Sequence, residues 1–450
     1  MRCYLLAIDR PAAPLPDGSP GSAVRRAPFA DNPAVGERGR QAQQRILDAA
    51  LQVFGELGYH KCRVQRITEL AGCSRVSFYQ YFSSKEDLFR HLAGRVARLL
   101  GELVDGLEPI TPDAAGHAAI LRYFDEYAVI YDEYRPIFIA FQTAASSDEV
   151  MADGGQRIGI RSLTHLQGKV AGSPLEADEL TGTVRTIIET AVRANRIHDL
   201  LEEGRPPVNM TRQRLHQALA DISHRALFGV VDGVNLRTPA RRQRAFPIEA
   251  TAMASSSAKG SRTTASPSGP GGLQTRTTVL EAGHQVYVER GYYATRVDDI
   301  VKVAGVSHGV FYRYFRNKDE LFRLLAAAAS ARFVVAYDEL ARLDLAAPDG
   351  RERFRAWLDH YAATCAESAA ILRVWVDAIT RDPQLGSDSA AAVRTGCRGV
   401  LGLLGQRGSG DVDAESVVVI VLLEAMTAGE ASTRRVTRVG NVLERAVFFL

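Results

Sequence analysis

From Arg45 onward, apolar residues recur every three or four positions. In ILDAALQVFGELGY the residues Ile46, Leu47, Ala50, Val53, Phe54 and Leu57 fall on one helical stripe, and Gly58 ends it. VQRITELAG predicts a short second helix with Val64, Ile67 and Leu70 inward, stopped at Gly72. After a tight turn, Ser74 is placed to cap a third helix carrying Phe78, Tyr81 and Phe82 inward. Ser84 then caps a fourth, KEDLFRHLAGRVARLLGEL. The same succession returns later as TVLEAGHQVYVERGY, VDDIVKVAG, Ser307 as cap, and Asn317 before KDELFRLLAAAA. No stretch reads as paired strands, so the expected class is all-α.

The return is a duplication. Shifting the chain by 233 positions aligns Arg45–Arg90 with Thr278–Arg323 without a gap, and 21 of the 46 positions are identical. The likeness recurs at the ends of the copies, where LADISHRALFGV (219–230) matches VGNVLERAVFFL (439–450). Whole domains are therefore repeated, since solenoid units are far shorter. The organisation expected is an arm without helical period at 1–39, a helical head at 40–100, a regulatory bundle at 101–236, a linker at 237–272, a second head at 273–333 and a second bundle at 334–450. Pro, Gly, Ala and Asp in the arm, and ASSSAKGSRTTASPSGPGG in the linker, lack the apolar content to fold.

Charge sharpens this division. Basic residues outnumber acidic ones 10 to 5 over 40–100, then acidic lead 20 to 12 over 101–236. The balance is 6 basic to 1 acidic over 237–272, 9 to 6 over 273–333, and 13 to 16 over 334–450. Basic heads joined to acidic bodies suit a reader of polyanions. The 450 residues are 46% hydrophobic and 24% charged, as in globular proteins. Val417–Leu423, the longest apolar run, is stopped by Glu424 and predicts a packed helix. With Asp9 and prolines where a signal peptide needs apolar residues, a cytoplasmic protein is expected. The cysteines at 3, 62, 73, 365 and 397 have no metal-ligand spacing, and the ten His are scattered. Without a nucleophile elbow or a phosphate loop, neither an enzyme nor a cofactor or metal is expected.

Two short helices joined by a Gly-containing turn form a helix-turn-helix, here spanning about 63–82 and 296–315, whose second helix is sized for the DNA major groove. The outward set is Arg75, Ser77, Tyr79 and Gln80 in the first copy, and His308, Val310, Tyr312 and Arg313 in the second. Arg can address guanine, Gln adenine, and Val the thymine methyl. Lys85 and Lys318 open the next helix, where backbone N–H groups and an ammonium can hold one phosphate. Phe78, Phe82, Phe311 and Phe315 are core. Of Tyr79 with Tyr81, and of Tyr312 with Tyr314, at least one of each pair is expected at DNA.

At these residues the chain resembles the TetR/AcrR family of bacterial transcriptional regulators. The second copy carries the family pattern through Gly291, Tyr292, Thr295, Val297, Ile300, Ala304, Gly305, Val306, Ser307, Gly309, Phe311, Tyr312, Tyr314, Phe315, Asn317, Lys318 and Leu321. The resemblance adds Ser74, Tyr81, Thr295, Arg296, Ser307, Gly309 and Tyr314 to the DNA-binding set. The first copy departs at Cys62, where Thr295 would cap the first reading helix, and at Val76, in place of Gly309. The two helices therefore cannot read identical DNA.

The resemblance also implies that the later helices dimerise and enclose a small apolar effector. SPLEADELTGTVRTIIETAVR with TRQRLHQALADISHRALF, and DAESVVVIVLLEAMTAG with TRRVTRVGNVLERAVFFL, resemble the dimerising pair. One chain holding both pairs implies an intrachain pseudo-dimer on an asymmetric double-stranded operator, with further oligomerisation open. Aromatic segments containing Tyr127, Tyr131 and Phe138, and Trp357, Tyr361 and Trp375, suit either pocket walls or plain core. The expectation is a ligand-released repressor, bound to the nucleoid through DNA. The alternative is a ligand- or protein-binding module whose heads have lost operator specificity.

Overall fold

The computed structural model describes residues 36–59, 61–144, 149–203, 210–236, 270–379, 382–405, 410–427 and 433–450. Nearly all of the expected arm and linker, with Arg25, Arg26 and Arg241–Arg244, lies outside the described residues. Two compact units divide the chain. One holds the residues up to Glu108 with Asp125–Lys169, and the other holds Pro109–Phe124 with Val170–Leu450.

The first unit begins with α1 (Glu37–Leu57), α2 (Val64–Ala71), α3 (Arg75–Tyr81) and α4 (Lys85–Asp105). Ile46, Val53, Phe54, Ile67, Phe78, Phe82, Leu88, Phe89 and Leu92 form its core, as their spacing requires. Ser74 accepts from the Ser77 N–H, and Ser84 from the Asp87 N–H, so both predicted caps are in place. Leu57 and Leu70, expected inward, are exposed. Each is the last or next-to-last residue of its helix, where no neighbouring element covers the stripe. The unit continues with the later part of α5 (Ala114–Ala144), whose backbone leaves helical geometry at Tyr134 just before Pro136, and with α6 (Glu149–Lys169). Lys169 Nζ donates to the carbonyls of Asp105 and Leu107, 2.8 Å each, and so ties α6 to the end of α4.

In the second unit, α7 (Ala177–Glu203) and α8 (Arg212–Phe228) come from the first copy. The second copy follows as α9 (Pro270–Ala294), broken at Gly291, α10 (Val297–Ala304), α11 (His308–Tyr314), α12 (Lys318–Ala341), α13 (Gly350–Ile379), α14 (Pro383–Leu404), α15 (Val412–Glu424) and α16 (Thr433–Leu443). A single wider turn, Glu444–Phe448, ends it. Asp413 through Leu423 of α15 are buried on every face, because α14 and the first copy's α7 and α8 surround it. This burial explains why the unit boundary cuts through the expected 101–236 bundle. Helices α7 and α8 pack against helices of the other copy, and α8 also against His117, Thr111 and Phe124 of its own. Among the described residues the fold is all-α, with only isolated bridges between Ile110 and Val170 and between Asp232 and Leu236. No helix there is long and apolar enough to cross a membrane.

Polar side chains join the two copies within this unit. Arg214 grips Asp411 through two bonds of 2.7 and 2.8 Å. Arg438 donates to both carboxylate oxygens of Glu189 at 3.0 Å, and Arg196 pairs with Glu424. Arg225 of α8 pairs with Glu415 of α15, and Arg445, its counterpart in the second copy, pairs with Glu179 of α7. The first of these pairs is sealed from solvent, whereas the second is partly exposed.

Candidate nucleic-acid interface

Both heads build the turn between their short helices in the same way. Gly72 and Gly305 take left-handed conformations, φ 62° and 65°, where a side chain would be strained. Cys73 N–H then returns to the Thr68 carbonyl at 3.0 Å, and Val306 N–H to Val301 at 3.1 Å. The reading helices α3 and α11 start at capping Ser74 and Ser307 and are held by Phe78 and Phe82, and by Phe311 and Phe315, all fully buried.

The tyrosines divide cleanly. Tyr79 and Tyr312 are 48% and 50% exposed, while Tyr81 and Tyr314 are buried at 7% and 6%. Arg75, Gln80, His308, Gly309 and Arg313 are exposed, as expected. Ser77 and Val310 are not on the open face. Both are half-buried, and Val310 packs against the head's core. The outward apolar residue is Val76, 73% exposed. A Cβ added at the matching Gly309 would meet only the Ser307 Oγ, at 3.8 Å, so packing does not demand glycine there.

Lys85 and Lys318 are turned inward. Lys85 Nζ donates to the Tyr59 carbonyl at 3.0 Å and lies 4.3 Å from the centre of its ring. Lys318 Nζ donates to the carbonyls of Tyr292 and Thr295 at 2.7 and 2.8 Å. These ammonium groups tie the loop after the first helix to the start of the fourth.

Thr295 is not the cap of α10. Its hydroxyl donates to the Gly291 carbonyl at 2.7 Å and it is buried at 1%, while the exposed Arg296 occupies the cap position. The cap is instead supported by Asp299, whose carboxylate accepts from the Arg296 N–H at 3.2 Å and pairs with Arg290 at 2.8 Å. The first copy has Arg66 and Leu57 in those two places. Its departure therefore lies at Arg66 more than at Cys62, which stays buried, its thiol pushed up to about 11 by desolvation. A second contrast is electrostatic. His308 Nε2 meets Asp298 at 2.7 Å, whereas the first copy has Arg75 and Gln65 at those positions, and Gln65 donates instead to Glu69 at 3.0 Å.

The aromatic residues named as pocket or core candidates are buried. Tyr127, Tyr131 and Phe138 are buried against one another, with ring centres 5.9 and 5.3 Å apart. Trp357 donates to the Ala336 carbonyl at 2.8 Å and stands in a buried row with Phe354, Tyr361 and Tyr337. Trp375, read as pocket wall or plain core, packs in the core of the second head with Ile371, Val374 and Leu385. It anchors α13 and α14 beneath that head, and its indole N–H donates to the Leu385 carbonyl at 3.4 Å. Cys62, Cys365 and Cys397 are buried and unbridged, and no group of His, Cys, Asp and Glu able to hold a metal occurs among the described residues.

The signature described as "Bacterial regulatory proteins, tetR family" matches residues 46–92 and again 279–325. The HTH-type transcriptional regulator RutR of Escherichia coli strain K12 is 30% identical over 158 residues, 34% of this chain and 62% of RutR. The HTH-type transcriptional repressor AcnR of Corynebacterium diphtheriae is 38% identical over 77 residues, 17% of this chain and 40% of AcnR. A crystal structure of a tetR-family transcriptional regulator from Streptomyces coelicolor aligns with 42% of this chain and 80% of its own, at 21% identity and a TM-score of 0.35. The chain thus spans just over three fifths of RutR's length, 62%.

Proposed function

We propose, from its two matches to the signature of the tetR family of bacterial regulatory proteins, that the chain is a regulator of that family and represses transcription by binding one asymmetric double-stranded operator. Each head offers its second short helix to a major groove. The observation that carries this reading is the matched exposure of Tyr79 and Tyr312 on helices whose remaining aromatics are sealed inward. Unlike neighbours, Arg75 and Gln80 against His308 and Arg313, make the two half-sites unlike.

A helix-turn-helix dimer engages half-sites about 34–36 Å apart. Here one chain supplies both heads. The paired contacts Arg225–Glu415 and Arg445–Glu179 support a pseudo-dimer in which the helix pairs of the two copies play the parts of two protomers. Release follows from a small apolar effector that binds the non-operator conformer more tightly, since equal affinity for both would shift nothing. Helix α13, rooted in the second head by Trp375, is the element such a shift would move. Action on the nucleoid makes the protein cytoplasmic.

Selection of bound fragments from a genomic library tests the proposal. One enriched, asymmetric site supports it. Absence of any enriched sequence overturns it in favour of a ligand- or protein-binding module with non-specific heads.

A further inference from the structure

We propose that Val76 is a specificity residue of the first head, reading the C5-methyl group of a thymine through its own exposed methyls. The inference rests on the DNA-reading proposal above and names one contact within it.

The second residue of α3 is placed where the start of a reading helix meets base edges. Val76 leaves 73% of its surface open, more than any other exposed large hydrophobic among the described residues. No packing within the protein calls for it, since the matching Gly309 has open space at its Cβ. Val76 and Tyr79, one helical turn apart, form an apolar strip between exposed Arg75 and Gln80. A strip of this kind between hydrogen-bonding groups complements an edge that carries a methyl among acceptors and donors. In the major groove that edge is thymine, whose methyl lies beside its O4 acceptor. At Gly309 the second head has no side chain to make this contact, so methyl reading belongs to one half-site only.

The test uses the full chain and the operator enriched by selection, with each thymine replaced singly by uracil, which lacks only the methyl. One thymine in one half-site should weaken wild-type binding about fourfold when so replaced, the value of one buried methyl. Val76→Gly should bind the thymine and uracil duplexes alike. Val76→Ala, which keeps the helix propensity that glycine loses, should lie between them. A methyl effect undiminished in both variants, or no methyl-sensitive thymine in either half-site, overturns the inference and leaves the operator standing. Failure to enrich any operator overturns the DNA-reading proposal and this inference with it.

Discussion

The guanidinium of Arg225 meets the carboxylate of Glu415 at 2.9 Å, with both side chains sealed from solvent at 0% and 1% exposure. The same guanidinium donates to the carbonyls of Ala446 and Asn235 at 2.7 and 2.5 Å. One residue of the first copy thus holds the second copy's α15, its final turn and the chain just before the linker. Removing either charge leaves the other buried and uncompensated. Arg225→Met or Glu415→Gln should each lower unfolding free energy by about 3–5 kcal/mol. Combining Arg225→Met with Glu415→Leu should cost less than the two single changes added together. The related pair, Arg445 and Glu179, is 24% and 37% exposed, and breaking it should cost about 0–1 kcal/mol. Denaturant titration of these variants decides the matter. Equal losses at the two pairs would show that burial does not govern them.

Lys318 supplies a second prediction, because its ammonium is engaged by two carbonyls of its own head. Lys318→Met should destabilise that head by about 1–3 kcal/mol, the cost of stranding partly buried carbonyls. The dependence of operator binding on salt should keep its slope. A lysine on phosphate would lose about one unit of that slope. Thermal melts and affinities at several salt concentrations separate the two, and a shallower slope with unchanged melting returns Lys318 to the phosphate.

The helical period of the heads placed Phe78, Phe82, Phe311 and Phe315 correctly, because an apolar stripe on a short helix has one direction in which to be buried. It overran at Leu57 and Leu70, since a stripe does not tell where the covering neighbour stops. Serine caps were readable at Ser74 and Ser307, yet Thr295 was misread because its hydroxyl serves the preceding turn and Asp299 supports the cap. Aromatic spacing could place Trp375 on a helix but could not say which element covers it. Least legible was the join between the copies. Arginine and glutamate ordinarily mark surface, and nothing local distinguishes Arg225 from Arg122.

Trp375 offers a third prediction. It lies 6% exposed in the core of the second head, joined there by Ile371 and Val374 of the same helix and Leu385 of α14. Trp375→Ala should cost about 3–5 kcal/mol. The loss should concentrate in the second head, so hydrogen exchange of α9 to α11 should accelerate while α1 to α3 remain protected. Uniform loosening of both heads would place Trp375 in a general core, and faster exchange in neither would remove it from the link.

The last prediction concerns acid. His224 is buried, with Nε2 3.0 Å from the Thr111 carbonyl and Nδ1 2.8 Å from the Asn235 amide. With Nε2 donating to the carbonyl, Nδ1 must accept, so the neutral ring fits this site and a second proton would oppose the amide donor. Desolvation, with only partial relief from the Thr111 hydrogen bond, pulls its pKa below the ordinary 6.5. The groups around it are His117, which adds to the lowering and is itself bonded to Asp221 at 2.7 Å, and Asp113, which opposes it. Arg225 and Glu415 lie next along the chain of contacts through Asn235. The unfolded chain takes up a proton near pH 6.5 and the folded chain only lower. Stability is therefore full above 6.5 and falls as pH drops below it, until the folded state protonates as well. Asp113, lowered by the Gly116 N–H and the Thr111 hydroxyl, adds a separate loss only below its ordinary 3.8. Unfolding free energies between pH 7.5 and 5 should decline in the wild type and decline less in His224→Gln. Parallel profiles for the two proteins would exclude His224 as the source of the acid sensitivity. A steeper decline in the variant would mean that the folded state favours the charged ring.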